Sequence, residues 1–299
     1  MSQEVETSLL VVVLDTNPGQ RLLREKAHFL TQCLDSVIAF VNSHLMLKPA
    51  NRAAVLACHM TSTQFLYPEP GEAGVGASLR QQDGQYEMFT HVERTLRHGL
   101  QRLARGEAER LRSGASVVAP GDSLLAGALA VALCYVHRLE RELSSGCKMN
   151  SRVLVVTGSS DSASQYMNYM NVFFTAQKQS VTMDVCSLDQ ELGLLQQGCD
   201  ITGGLYLQVP QLQGLLQYLL WVFLPEPPIR RKLVLPPPVK VDYRAACFCH
   251  RELIDIGFVC SVCLSIFCKF SPICTTCHTV FKSPGPLPMK MKKKKIKMN

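Results

Sequence analysis

No apolar run in this sequence is long enough to cross a membrane. The longest mostly apolar stretches, Leu124–Val136 and Leu212–Leu224, span 13 residues each, whereas a membrane-spanning helix needs about 20. The amino terminus also lacks the basic region and long apolar core of a secretory signal, because Glu4 and Glu6 precede the short run Leu9–Leu14. We therefore expect a soluble intracellular protein with no membrane partner.

The sequence also lacks the common catalytic and phosphate-binding motifs. It contains no G-x-x-x-x-G-K-[ST], no H-E-x-x-H and no G-x-S-x-G. Gly71, Gly74 and Gly76 do not have the spacing of a dinucleotide-binding loop. These absences predict a protein that is not an enzyme and that takes no small-molecule substrate.

Basic charge is scarce outside the carboxyl-terminal tail. The chain has 31 Lys and Arg against 24 Asp and Glu, but six of the lysines lie between Lys290 and Lys297, so the rest carries only +1 (25 minus 24). A surface that grips nucleic acid is normally basic because phosphates need Lys or Arg partners. We therefore expect no direct contact with DNA, and we interpret the tail as a nuclear localisation signal.

The first 224 residues alternate between strand and helix patterns. Short apolar runs rich in valine or alanine predict strands at Leu9–Leu14, Ala53–Cys58, Gln64–Tyr67, Arg152–Thr157, Val181–Leu188 and Gly204–Leu207. Apolar residues at helical spacing predict helices at Leu23–Val41, Phe89–Leu111, Ser123–Leu143, Tyr166–Phe174, Glu191–Gly198 and Leu212–Leu224. We expect Asp122 or Ser123 to cap the helix that follows it. Because parallel strands need crossover connections, the alternation predicts an α/β domain over 1–224 with a doubly wound, mostly parallel sheet.

Shifts in composition divide the rest of the chain. Residues 68–90 are rich in glycine, glutamine and charge, which predicts an exposed insertion. The prolines within 225–228 and 236–238 predict a semi-rigid linker over 225–246. Beyond it we expect a cysteine-rich module over 247–280 and a basic tail over 281–299.

Two C-x-x-C pairs in that module predict a metal site. Cys260-Ser-Val-Cys263 and Cys274-Thr-Thr-Cys277 are separated by ten residues. Two such turns supply the four thiolates of a tetrahedral Zn²⁺ shell, and disulfides are not expected inside a cell. Because protein ligands fill all four positions, the predicted zinc is structural, and it would stabilise a module too small to build its own core.

Further potential ligands surround these four cysteines. Cys247, Cys249 and His250 could form a second site together with Cys268. The spacing of this group is less regular, and Cys268 is equally compatible with a packing role. The sequence leaves both interpretations open.

The turn after the first predicted strand has the position of a ligand site, since α/β sheets bind ligands at the carboxyl ends of their strands. Metal-ion-dependent adhesion sites of the von Willebrand factor A fold carry Asp-x-Ser-x-Ser there. This chain has Asp15 and Asn17, but Gly19 offers no side chain, and the later strand ends in Thr157-Gly158. One carboxylate and one amide hold a dication poorly, so we expect a degenerate turn used for interactions, with a Mg²⁺ site as the alternative.

Several longer segments, together with the Asp15 turn, resemble the family of general transcription factor IIH subunit 3. They are Gln165-Tyr-Met-Asn-Tyr-Met-Asn171, Leu194-Leu-Gln-Gln197, Cys199-Asp-Ile-Thr-Gly-Gly-Leu-Tyr206, Leu216-Gln-Tyr-Leu-Leu-Trp-Val-Phe-Leu-Pro225 and Leu235-Pro-Pro-Pro-Val-Lys-Val-Asp-Tyr-Arg-Ala-Ala-Cys-Phe-Cys-His250. The resemblance covers almost the whole chain and is most specific from about residue 150 onward.

This resemblance implies a fold and a role. It implies a von Willebrand A-like domain followed by a four-cysteine zinc finger. The role is that of a non-catalytic, nuclear subunit of the factor IIH core, acting in nucleotide excision repair and RNA polymerase II initiation. Such subunits hold a larger von Willebrand A/RING subunit, which in turn regulates a helicase.

Two other functions remain as alternatives. The cysteine module could bind DNA directly, although between Cys247 and His278 it offers only Arg251 and Lys269 as basic residues. It could also be a RING-like component of a ubiquitin ligase, which would need eight ligands on two zinc ions. A count of bound zinc separates these possibilities.

Overall fold

The computed structural model describes residues 6–26, 28–69, 85–113, 122–143, 147–237, 240–250 and 252–281. The chain forms two compact units, residues 1–243 and 244–299. The basic segment Lys290–Lys297 and most of the expected insertion at 68–90 lie outside the described residues.

The first unit alternates strands and helices as the sequence predicts. Its strands are β1 (Glu6–Asp15), β2 (Arg52–Cys58), β3 (Thr63–Tyr67), β4 (Lys148–Thr157), β5 (Thr182–Ser187) and β6 (Tyr206–Gln208). Its helices are α1 (Arg21–Glu25), α2 (Phe29–Leu47), α3 (Gln85–Arg112), α4 (Leu125–Glu142), α5 (Tyr166–Lys178), α6 (Gly193–Thr202), α7 (Leu215–Tyr218) and α8 (Pro227–Arg230). Three-residue 3₁₀ turns precede α5 and α7, and a π-helical turn at Leu219–Phe223 continues α7.

The six strands form one sheet in the order β3-β2-β1-β4-β5-β6. All neighbouring strands are parallel except β2 and β3. Val12 at the centre of β1 lies beside Val55 on one side and Leu154 on the other. The prediction of a doubly wound, mostly parallel sheet is confirmed, and the fold is von Willebrand A-like.

Both faces of the sheet are covered by helices, because β1 buries alternate residues on each side. Leu10, Val12 and Leu14 pack into a core shared with α2, α3 and α7. Leu9, Val11 and Val13 pack into a second core shared with α4, α5 and α6. Burial on both faces explains why β1 reads as a continuous apolar run.

Three predicted helices differ from those in the structure. The helix expected at Leu23–Val41 is two helices, α1 and α2, and α2 runs to Leu47. Helix α3 begins at Gln85, so residues 85–90 of the expected insertion are helical, and Met88 is buried. The expected helix Leu212–Leu224 is a mixture of 3₁₀, α and π turns.

The expected cap of α4 is wrong. Leu124 occupies the N-cap position and makes no side-chain capping bond. The Ser123 hydroxyl instead donates to Asp15, and the Asp122 carboxylate accepts a bond from Ser162. Both side chains therefore bond to the loops that follow β1 and β4 rather than to the helix that comes after them.

The proline-rich segment is partly folded onto the first unit. Residues 227–230 form α8, whose last residue, Arg230, is buried. Its guanidinium contacts the Asp184 carboxylate on β5. Further along, the Asp242 carbonyl accepts a bond from Gln197 on α6. Composition predicts a spacer over 225–246. In the structure, Arg230 and Asp242 of this segment are hydrogen-bonded to β5 and α6.

The second unit is small and held by turns. Its strands are β7 (Ala245–Ala246), β8 (Leu253–Ile254), β9 (Phe258–Val259) and β10 (Ile266–Phe267). They pair as two antiparallel hairpins, β7 with β8 and β9 with β10. Across the described residues of the whole chain, no helix combines the length and the apolar character that a bilayer crossing needs.

Candidate metal centres and the Asp15 crevice

Three turns of the second unit repeat one hydrogen-bonding pattern. In each turn the amide of a cysteine donates to the carbonyl five residues later, in the pairs Cys247–Glu252, Cys260–Ser265 and Cys274–Thr279. Such a turn folds the chain tightly enough for side chains two or three positions apart to point at one spot. The repetition shows that the C-x-C-H segment at 247–250 is built like the two C-x-x-C segments.

The four cysteines predicted as a metal site lie together. Cys260 and Cys277 have their sulfurs 3.7 Å apart, and Cys263 and Cys274 have theirs 3.6 Å apart. All four sulfurs fall within 4.8 Å of one another. A tetrahedron with metal–sulfur bonds of about 2.3 Å has edges of about 3.8 Å, whereas a disulfide needs about 2.05 Å. The cluster could therefore hold one tetrahedral metal ion.

Hydroxyl groups support this cluster in a way that the sequence analysis missed. Ser265 lies 3.1 Å from the Cys263 sulfur, and Thr279 lies 3.1 Å from the Cys277 sulfur. Hydrogen bonds from the Ser265 hydroxyl and amide lower the pKa of the Cys263 thiol to about 6. The available signal was a serine or threonine two positions after the second cysteine of each pair, because that residue can stabilise the thiolate.

The structure also brings together the second group of ligands. His250 Nδ1 lies 3.2 Å from the Cys268 sulfur, and Cys249 lies 3.3 Å from the same sulfur. Cys247 completes a set whose ligand atoms all fall within 4.8 Å. Backbone hydrogen bonds lower the pKa of the Cys247 thiol to about 6, and the bond from the Glu252 backbone has the largest effect. Cys268 thus lies among the potential ligands of this second group.

The two clusters interleave along the chain. Cys268 belongs to the cluster of Cys247, Cys249 and His250. Along the chain, however, it lies between the two C-x-x-C pairs of the other cluster. In the cross-braced order of a RING, successive ligand pairs alternate between the two ions. Here the eight potential ligands also alternate between the two clusters, but in groups of three, two, one and two rather than in four pairs.

His278 stands outside both clusters. Its backbone has a positive φ of 60°, as does Leu264 at the matching place in the preceding turn. Both residues follow the second cysteine of a C-x-x-C pair, where the chain must reverse. His278 therefore has a conformational role in the turn, and the ligand sets do not include it.

Apolar side chains cover the outside of this unit. Cys260, Phe267 and Cys274 form its small buried cluster. The exposed large apolar residues are Leu253, Ile256, Phe258, Val259, Val262, Leu264, Phe270, Ile273 and Val280. So many exposed apolar side chains in so small a unit usually mark a protein contact.

The Asp15 turn lies at the carboxyl end of β1. In the sheet, β1 has β2 on one side and β4 on the other. The carboxylate is 3% exposed. Its Oδ1 accepts hydrogen bonds from the Ser123 hydroxyl at 2.8 Å and the Asn17 amide at 3.1 Å. Its Oδ2 accepts one from the Thr157 hydroxyl at 2.6 Å. Asp15 thus links three loops through protein donors, which is the behaviour of a structural acceptor.

A crevice of about 670 Å³ opens beside this turn. Its walls include Arg21 and Asp189, which form an ion pair with each other. Ser159 extends the Asp15 network, because its hydroxyl lies 2.7 Å from that of Ser123. Ser123, Thr157 and Ser159 were missed as members of the Asp15 network, since they come from two segments far from Asp15 in sequence that only the folded sheet brings together. Within the described residues, the groups of three or more Cys, His, Asp or Glu side chains that could hold a metal are the two cysteine clusters.

Comparison with known proteins assigns the chain to a family. The family model described as transcription factor Tfb4 matches residues 7–278. General transcription and DNA repair factor IIH subunit tfb4 of Schizosaccharomyces pombe is 37% identical over 276 residues, which are 92% of this chain and 89% of the relative. Its counterpart TFB4 in Arabidopsis thaliana is 36% identical over 281 residues, with the same two coverages.

A solved structure agrees with this assignment. The crystal structure of the TFIIH p34 N-terminal domain matches with a TM-score of 0.58 and 26% identity, and it covers 72% of this chain and 97% of that domain. The family model spans both units described above, including every candidate metal ligand. The chain therefore belongs to the Tfb4 family of transcription factors.

Proposed function

We propose that this protein is a non-catalytic, nuclear subunit of the factor IIH core. In this role it serves RNA polymerase II transcription initiation and nucleotide excision repair. The two relatives described above are named as factor IIH subunits, and this chain matches 89% of the length of each. The tail Lys290–Lys297 supplies the basic cluster of a nuclear localisation signal.

We propose further that the second unit binds two structural zinc ions. Zn²⁺ prefers tetrahedral thiolate and imidazole ligands, and each cluster offers four of them. With four protein ligands on each ion, no coordination position is left for water or substrate. The zinc ions would fix the three cysteine turns and, through them, the surface that those turns carry.

The proposal that this protein holds a partner subunit rests on the exposed apolar side chains of the second unit, which we call the zinc module. Ile256 is 87% exposed and Leu264 is 70% exposed, in a unit whose buried apolar cluster is very small. Between Arg244 and Phe281 the sequence has three basic and two acidic residues. Such a surface suits a protein groove rather than phosphates. We propose that it holds the larger von Willebrand A/RING subunit of the core.

Co-purification of the full chain with the co-expressed core subunits tests this role. Leu264 has a positive φ, so Val262→Ser and Ile256→Ser are the cleaner substitutions. We expect the double variant to lose the larger subunit while keeping both zinc ions. Met167→Ser, at an exposed position on α5, should change nothing. Retention of the larger subunit by the double variant would count against the role.

The alternatives have their own readouts. Salt-dependent binding of the full chain to duplex DNA, lost with zinc, would favour a DNA-binding finger. Ubiquitin transfer in the presence of a conjugating enzyme would favour a ligase component. The shortage of basic residues does not favour the DNA-binding alternative. The two clusters alternate along the chain as the two sites of a RING do, so the ubiquitin-transfer assay decides the second alternative.

A further inference from the structure

An exposed apolar segment follows α8 in the first unit. Arg231, Lys232, Leu233 and Val234 are all exposed, and Val234 has a relative exposure of 104%. Leu235 continues the apolar run before Pro236 and Pro237. Leu235 is half-buried, whereas Leu233 and Val234 are directed into water, which is costly unless another surface covers them. We call Arg231–Pro237 the presenting segment.

The presenting segment starts from a rigid anchor. Arg230, the residue before it, is 6% exposed and forms a bidentate pair with Asp184, at 2.8 and 2.5 Å. Its Nε also donates to the Pro225 carbonyl at 2.9 Å. Buried Arg152 on β4 donates to the carbonyls of Phe223 and Pro225. Two arginines therefore fix the backbone immediately before the exposed run.

The chain is attached again after the segment. Gln197 on α6 donates to the Asp242 carbonyl at 2.5 Å, and Tyr243 donates to the Asp200 carboxylate. Pro236 and Pro237 restrict the backbone between the two attachments. A peptide held at both ends and stiffened by proline loses less conformational entropy on binding than a free linker does.

The charges beside the apolar run identify the kind of partner. Between Pro227 and Val241 the sequence contains Arg230, Arg231, Lys232 and Lys240 and no acidic residue. Arg230 is paired inside the unit, whereas Arg231 and Lys232 are exposed next to Leu233. DNA would match the charges but would leave the Leu-Val-Leu run uncovered. An apolar protein groove bordered by carboxylates matches both features.

We infer that the presenting segment Arg231–Pro237 is a preformed docking peptide for an apolar, acid-rimmed groove on another subunit of the assembly. The inference rests on the proposed membership of the factor IIH core. It adds a second contact region, in the first unit, to the apolar surface of the zinc module. Arg231 and Lys232 would steer the approach, and Leu233, Val234 and Leu235 would fill the groove.

Binding of the full chain to the co-expressed remainder of the core tests this inference. We expect Val234→Ser to weaken binding at least tenfold and the pair Arg231→Ala, Lys232→Ala to reduce its salt dependence. The matched control is Val131→Ser, another exposed valine, on α4, which should bind like the wild type. A wild-type affinity for Val234→Ser, with the control also unchanged, would overturn the inference.

A photo-crosslinking residue placed at position 234 in the full chain identifies the occupant. An adduct with another core subunit, at a site rich in Asp and Glu, supports the inference. An adduct only with a second copy of this chain, an adduct with DNA, or no adduct in the assembled core overturns it. If the wild-type chain fails to join the core at all, the proposed function fails instead, so the two failures are distinguishable.

Discussion

At the scale of single residues, Asp15 shows how a familiar position can serve a different purpose. The carboxylate stands where a metal-dependent adhesion site would begin, yet hydroxyls of Ser123 and Thr157 donate to its two oxygens. Gly19 contributes its amide to the Asn17 side chain, so the turn also closes on itself. Neutral donors from three loops thus replace the stabilisation that a cation would supply to a buried charge.

His44 gives this scale a prediction about pH. It lies fully buried on α2, and burial, together with the nearby charge of Arg152, lowers its pKa from 6.5 to about 4. The unfolded chain therefore binds a proton between these values that the folded chain does not bind. We expect the free energy of unfolding to keep its full value, as far as His44 is concerned, above pH 6.5. It should fall by about 1.4 kcal/mol per pH unit as the pH drops from 6.5 toward 4.

Urea denaturation of the wild type and of His44→Gln at several pH values measures this effect. The glutamine side chain does not titrate, so the variant should lose this part of the slope between pH 6.5 and 4. Equal slopes in the two proteins would show that other groups, and not His44, set the acid sensitivity.

At the scale of elements, the join between α7 and α8 depends on buried arginine. Arg230 and Asp184 are 6% and 2% exposed as side chains and form a bidentate pair. Removing one partner of such a pair leaves the other charge uncompensated, which typically costs 3–5 kcal/mol. We expect Arg230→Ala to lower the free energy of unfolding by about that amount.

Arg231→Ala is the matched control, because the neighbouring side chain is exposed. Its effect should stay within about 0.5 kcal/mol. Chemical denaturation of both variants makes the comparison. Similar stabilities for the two variants would mean that the buried pair contributes little to holding α8 on the sheet.

The same scale shows what the sequence could predict and why. Strands β1 and β4 were recognisable because burial on both faces leaves an unbroken apolar run. The end of α6 was not, although Gly203 closes it with a φ of 70° and the Gly204 amide donates to the Cys199 carbonyl. Gly204 must also lack a side chain, since a Cβ there would lie 1.8 Å from the Met183 carbonyl oxygen. Close approaches between distant segments leave no local pattern.

The candidate sites show the same division. The C-x-x-C pairs at 260–263 and 274–277 follow directly from local spacing. The set of Cys247, Cys249, His250 and Cys268 stayed an open alternative because its last member comes 18 residues after His250 and only the folded hairpins bring it close. The partners of Asp15 come from still more distant loops. Tertiary structure, not composition, decides which polar groups meet.

At the scale of the whole molecule, the two units are stabilised by different means. The first has two apolar cores on either side of a sheet, whereas the second buries little more than Cys260, Phe267 and Cys274. A unit of that size without metal has too small a core to fold alone. Its structure should therefore depend on metal, while that of the first unit should not.

Chelation tests this dependence in the full chain. We expect removal of two zinc ions per chain to abolish the slow hydrogen exchange of the amides of Cys247, Cys260 and Cys274, which donate within the cysteine turns. Amides of β1 should keep their protection, since their ladders with β2 and β4 involve no metal ligand. Cys274→Ser should release one ion and Cys268→Ser the other. One ion in the wild type, retained by Cys268→Ser, would show that the second cluster does not bind zinc.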